Sequence, residues 1–253
     1  MAYDLSLWIL TRPVAWSALD ALPPSLSGRA WQIGGLHVLE LWPAGDPPSY
    51  PGLTRPEDLP WTGPPHPLLT RLAQIDALVE AQDTTPPIQA EPALALAMWL
   101  SDRLATEVLY IAANDDGLDL AALAAKGELR QLVAHGEGLS VAANASGLVQ
   151  VTLHPPRLFE DDEEDGEEDD EELVAFGEAL KADLAALPEV LVRHGDRVPD
   201  SVMHSAALAL WPAEAPLHAP LGLGTFEALE GLASQAKIVW GEGMVKKPWW
   251  RFW

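Results

Sequence analysis

The sequence predicts an α+β fold. An antiparallel sheet, built from N-terminal hairpin strands and a central meander, packs with helices, and a mainly helical C-terminal part follows. Three observations predict it. Short apolar segments between Leu129 and Leu153 alternate with Gly- and Asn-containing turns, the signature of a meander. Between Pro67 and Leu104 one segment has helical spacing of its apolar residues and a second is apolar almost all round, as a buried helix is. With 48% hydrophobic residues in 253, the chain is able to bury a core, which excludes global disorder.

Element by element, Tyr3 to Leu10 alternates like a strand, with Tyr3, Leu5, Leu7 and Ile9 on one side. Trp31 to Ile33, Gly34-Gly35 and Leu36 to Trp42 read as a hairpin with a Gly-Gly turn. Proline fixes φ and donates no hydrogen bond, so the Pro-rich segment Pro43 to Pro67 is extended chain; its Tyr50 and Trp61 favour a loop wrapped on the core. Pro67 opens a helix at its first-turn position, with Leu68, Leu72, Ile75 and Val79 on one stripe. A second helix, from Glu91-Pro92 to about Leu104, is apolar almost all round and is expected to be buried.

Val108 to Ala112 is expected as a strand and Asn114-Asp115-Asp116-Gly117 as a turn. Asp119 then caps a short helix that Gly127 ends. Strands at Leu129 to Ala134, Leu139 to Ala143 and Leu148 to Leu153 complete the meander, and Pro155-Pro156 stops it. Beyond, Leu173, Phe176, Leu180, Leu184 and Leu187 share a helical face. Further helices are expected near Asp200 to Leu210 and Thr225 to Ala236, with a short strand at Ile238 to Trp240. The organisation that results is a body over 1–154, an acidic disordered loop over 155–172, and a helical part over 173–253 packed back on the body as one structural unit.

Charge excludes more than it identifies. Fifteen Lys and Arg stand against 38 Asp and Glu, a net charge of −23. Such a chain repels phosphate backbones and anionic lipid, so nucleic acid is not an expected ligand. No apolar run approaches the ~20 residues of a membrane span. The opening MAYDLSLWIL lacks a basic leader, so a cytoplasmic protein is expected. The absence of Cys removes disulfides, thiolate nucleophiles and Cys-based metal sites. Twelve of the thirteen residues Glu160 to Glu172 are acidic.

Searches for reaction chemistry end without a complete set. No phosphate-binding loop occurs, and Gly222-Leu-Gly224-Thr225 reads as a turn and helix cap. Gly138-Leu-Ser140-Val-Ala142 falls one glycine short of a nucleophile elbow and sits within a strand. Seven histidines occur without metal-binding spacing, so no metal and no cofactor is expected. Counted from Asp161, the tract matches the ligand spacing of a calcium loop, but any polyacidic run with one Gly does so, and Pro155 and Pro156 forbid the helix that should precede it. The C-terminal KKPWWRFW interleaves cations with rings and is expected to plug a groove of its own domain.

These features favour an acidic intracellular binding protein that docks a basic protein partner. A toxin-neutralising, immunity-type inhibitor in a bacterial cytoplasm fits, because toxins that act on nucleic acid are basic. Candidate contacts are Asp115, Asp116 and Asp119 in the turn, Asp161, Asp162, Glu163, Glu164 and Asp165 in the tract, and Trp249 and Trp250 in the tail. The alternative is an enzyme with a site assembled from dispersed residues, with His135, Asp115, Asp116 and His194 first among them. A DNA mimic ranks last, since a flexible tract does not space carboxylates as a duplex spaces phosphates. A self-repelling loop adds little to the core. Deleting residues 160–172 is therefore expected to leave the melting temperature, read by circular dichroism, nearly unchanged; a large drop would make the tract structural.

Overall fold

The computed structural model describes residues 4–10, 12, 14–33, 36–46, 59–61, 63–82, 86, 88, 91–114, 119–136, 138–154, 178–195 and 237–241. Their strands are β1 (Asp4–Leu10), β2 (Leu26–Ile33), β3 (Leu36–Pro43), β4 (Val108–Asn114), β5 (Asp119–Ala125), β6 (Glu128–His135), β7 (Leu139–Asn144), β8 (Val149–Leu153), β9 (Val190–His194) and β10 (Lys237–Gly241). The helices are α1 (Pro67–Glu80), α2 (Glu91–Arg103) and α3 (178–185), with a 3-10 turn at Trp16–Ala21.

All ten strands form one sheet in the order β10-β2-β3-β1-β4-β5-β6-β7-β8-β9. Every neighbouring pair is antiparallel except β8–β9, which is parallel. Parallel neighbours need a crossover connection, and the chain between β8 and β9, which includes α3, supplies it. The expected α+β arrangement, an antiparallel sheet followed by a mainly helical C-terminal part, is thus corrected to one large mixed sheet with few helices. Among the described residues the C-terminal part adds a strand at each sheet edge and the one helix α3. The helices expected near 200–210 and 225–236 lie outside the described residues.

The hairpin, the first two helices, the meander strands and the short strand at 238–240 form where sequence periodicity places them. The helix expected from Asp119 to Gly127 does not: that segment is β5. Leu120, Ala122 and Ala124 alternate into the core, and tertiary pairing on both sides overrides the helical preference of an Ala-rich run. Gly127 is therefore no helix cap. Lys126 (φ 54°) and Gly127 (φ 77°) form the two-residue turn between paired Ala125 and Glu128, and two positive φ values suit the twist of a tight hairpin. In β6 a bulge at Arg130 lets Leu129 and Leu132, three apart, both face the core.

The one-sided pattern expected for the first strand is also revised. β1 lies between β3 and β4, and Ser6, Leu7, Trp8, Ile9 and Leu10 are all buried. One face of the sheet packs on α1 and α2. Trp8 donates its indole N–H to the Ala93 carbonyl of α2 (3.2 Å), and its ring meets Tyr110 of β4 at 5.1 Å between centroids. Leu72, Ile75 and Val79 of α1 and Leu94, Leu96 and Leu100 of α2 complete this core. His37 is part of it, its ring 4.8 Å from that of Trp16, and burial lowers its pKa below the ordinary imidazole value.

The opposite face buries Leu7, Ile9, Val38 and Leu109 around an ion pair. Arg29 Nε donates to Glu40 Oε2 at 2.6 Å, across the directly paired positions of β2 and β3. Trp31 and Trp42 each hold a ring 5.2 Å from the guanidinium carbon. A carboxylate in low dielectric holds the guanidinium charge, and removing it leaves that charge uncompensated. Glu40→Gln is expected to cost about 3–5 kcal/mol, measured by urea unfolding. The joint change Arg29→Met with Glu40→Leu is expected to cost much less. Equal losses in both would show that packing, and not charge pairing, is what Glu40 supplies.

Candidate functional site

The parallel end of the sheet carries the connection with the densest charge in the sequence. The 160–172 tract belongs to the connection that leaves β8 after Leu153 and returns through α3 to β9. It is tied to the sheet on both sides. α1 fixes this end: Arg71, itself buried, donates from Nη1 to the Gly147 carbonyl in the β7–β8 turn and from Nη2 to Glu189 Oε2, both at 2.5 Å. Glu189 directly precedes β9, so one side chain aligns the start of β8 with the start of β9. Leu180 and Leu184 anchor α3 on the core face, while Glu178 and Asp183 stay exposed. Glu178 accepts from Lys181 and sits 3.2 Å from His194 Nε2; the Lys181 bond and charge, then those of His194, lower its pKa.

A second feature lies on the opposite face. The three-residue connection between β6 and β7, 136–138, sets a register that pairs His135 with Ser140, and β8 returns so that the His154 N–H donates to the Gly138 carbonyl. This register brings three side chains into one chain of hydrogen bonds. His135 Nδ1 is 2.8 Å from Ser140 Oγ, which is 2.7 Å from His154 Nε2. His154 Nδ1 faces the Gly195 carbonyl at 3.4 Å. A carbonyl only accepts, so Nδ1 of His154 carries the proton and its Nε2 accepts from the serine hydroxyl. Ser140 Oγ then accepts from the Nδ1–H of His135. Serine, base and orienting carbonyl are the parts of an activated nucleophile. Here they are enclosed, with His135 1%, Ser140 8% and His154 9% exposed. The arrangement fixes two imidazole tautomers and ties β7 to the residue after β9.

The expected site residues are placed as follows. Asp119 is the first residue of β5, paired in register with His135, and does not cap a helix. Asp115, Asp116, the tract residues Asp161, Asp162, Glu163, Glu164 and Asp165, and the tail residues Trp249 and Trp250 lie outside the described residues. His135 and His194, the two histidines of the dispersed-site alternative, are not brought together. Strand alternation puts His135 on one face, beside Ser140, and His194 on the other, against Glu178 of α3. Ser140 and His154 were not expected as partners of His135. The signal for them is the register that the turn lengths of the meander impose.

A cleft of about 320 Å3 opens at the C-terminal end of α2, lined by Arg12, Ser101, Asp102, Thr106, Glu107 and Lys126 among others. Its charges are of both signs, and Ser101 Oγ is engaged with the Met98 carbonyl and the Gly127 N–H. It therefore selects no ligand by charge. Among the described residues no group of three or more His, Asp or Glu is placed to hold a metal, and no helix is long and apolar enough to cross a membrane. No family model matches the chain, and neither a curated protein nor a solved structure matches it.

Buried polar atoms that lose their partner cost their desolvation in full. Ser140→Ala strips a partner from both His135 and His154, and is expected to lower stability by about 1–3 kcal/mol in urea unfolding. Wild-type stability in that variant would mean that the three-residue chain holds nothing in place.

Proposed function

We propose that this protein is a binding protein that docks a basic protein partner through the acidic region carried by the β8–β9 crossover. The observation that carries this reading is where the charge sits. Twelve acidic residues in thirteen lie within the connection between two adjacent strands, and a buried arginine clamp orders the sheet end to which they are tied. Exposed Asp183 extends the same sign onto the described surface, beside Glu178 and Glu189, which are paired with Lys181 and Arg71. A concentrated negative field speeds encounter with cationic proteins and repels nucleic acid. Neutralisation of a basic toxin in the cytoplasm is the narrower form of this proposal, on the ground that proteins acting on nucleic acid carry positive charge.

Electrostatic docking makes a specific demand on salt. Affinity capture from a cell extract at low ionic strength, followed by calorimetry with the recovered protein, is expected to identify a partner of high isoelectric point. Its Kd is expected to rise about tenfold or more between 50 and 300 mM salt. Changing the acids of 160–172 to Asn and Gln is expected to weaken binding by a similar factor and to flatten the salt dependence. An acidic or neutral partner, or affinity indifferent to salt and to the neutralised tract, would overturn the reading.

A further inference from the structure

We propose that the outer edge of β9 is the docking strand, and that an extended basic segment of the partner adds to it as an eleventh strand. This rests on the charge reading above and gives it a structural address.

Backbone geometry defines what β9 offers. The Val149 N–H donates to the Glu189 carbonyl, and the Gly195 N–H donates to the Leu153 carbonyl. In a parallel ladder the same alternate residues bond one neighbour throughout, so Glu189, Leu191, Arg193 and Gly195 bond β8. The N–H and C=O groups of Val190, Val192 and His194 therefore point away from β8. Among the described residues no strand lies beyond them. A row of backbone donors and acceptors on a sheet edge is a template for another strand.

The two edges of the sheet are not equivalent. β10 is bulged between Ile238 and Trp240, which twists an edge away from further pairing. β9 runs in unbroken register over all five of its residues. Beside it are the exposed large apolar side chains of the described surface, Leu191 at 55% and Leu148 at 37%. Continuing the register by one residue puts both on the same sheet face, one diagonal step apart, where they suit an apolar side chain of an added strand. The other face at this edge carries Glu178.

The occupant follows from charge. α3 and the residue before β9 contribute exposed Glu178, Asp183 and Glu189, and the connection that reaches α3 contributes the acids of 160–172. Glu178 is paired with Lys181 and Glu189 with Arg71, and Arg193 keeps its charge, its Nε donating to the neutral Thr152 Oγ1 at 3.0 Å, so the excess negative charge at this end is that of the 160–172 connection. A strand alternating Lys with Val or Leu matches both the field and the apolar pair. An acidic strand is repelled.

The test uses the full chain and a fluorescein-labelled peptide of five Lys-Val repeats. The expected result is binding at 50 mM salt, at least about tenfold weaker for the same peptide with N-methylated backbone amides, which keeps charge and composition but removes donors. On binding, amide hydrogen exchange at Val192 and His194 is expected to slow by about tenfold or more, with β1 and β4 unchanged. Val192→Pro removes an N–H that β8 does not use, and Val192→Ala, which keeps that N–H, controls for the lost packing of Val192 on the core; only the Pro variant is expected to weaken the peptide at least about tenfold. Failure of the peptide to bind overturns the proposal. So does equal affinity for the N-methylated peptide, which needs no variant to fold. Salt-dependent binding that survives both changes removes β9 and leaves the charge reading standing. Binding that needs the β9 amides but ignores salt and the neutralised tract removes the charge reading and leaves the edge.

Discussion

β1 is the constraint on which the rest of the molecule depends. The hairpin β2–β3 and the meander β4 to β8 are each local, held by short turns between sequence neighbours. They become one sheet because β1 lies between β3 and β4 and bonds both. That position demands burial on each side. Trp8 supplies it toward α2 and Tyr110, and Ile9 supplies it toward the opposite face. Because side chains alternate, a slip of one residue would exchange the Trp8 and Ile9 rows and strand Ser6 away from the Tyr110 hydroxyl, which lies 3.1 Å from it. The register of β1 thus sets the register of both halves.

Much of the fold was legible because it is local. Pro67 at the start of α1, the apolar length of α2 and the turns of the meander carry their structure in a few adjacent residues. What was missed depends on long-range pairing. The Asp119 to Ala125 run has the composition of a helix and becomes a strand only because β4 and β6 flank it. β9 reads weakly as Val-Leu-Val before Arg193, and its parallel pairing with β8 is not written in any turn. The same holds for the candidate site. The density of acids is visible in the sequence, but its place between two neighbouring strands is not. His135, Ser140 and His154 span twenty residues and meet only through the register of three strands.

The two faces of the parallel end divide the work. On the helix side, Arg71 and the leucines of α3 hold β8 and β9 in fixed relation. On the other side, the His135–Ser140–His154 chain reaches the carbonyl just past β9. A short edge strand gains little stability alone. Anchored from both faces, it becomes a firm rail, and a rail costs less entropy to bind than a flexible segment does.

The pairing of β10 with β2 carries a consequence for biosynthesis. Arg29 and Gln32 find their partners at Gly241 and Lys237, about 200 residues later in the chain. At ribosomal speeds of roughly 5–20 residues per second, β2 waits on the order of 10–40 s before its covering strand is made. Throughout that interval the nascent hairpin exposes a strand flank rich in main-chain donors, which invites neighbouring nascent chains to stick. The sheet of this protein is therefore completed late, when the last of its described strands pairs with one of the first.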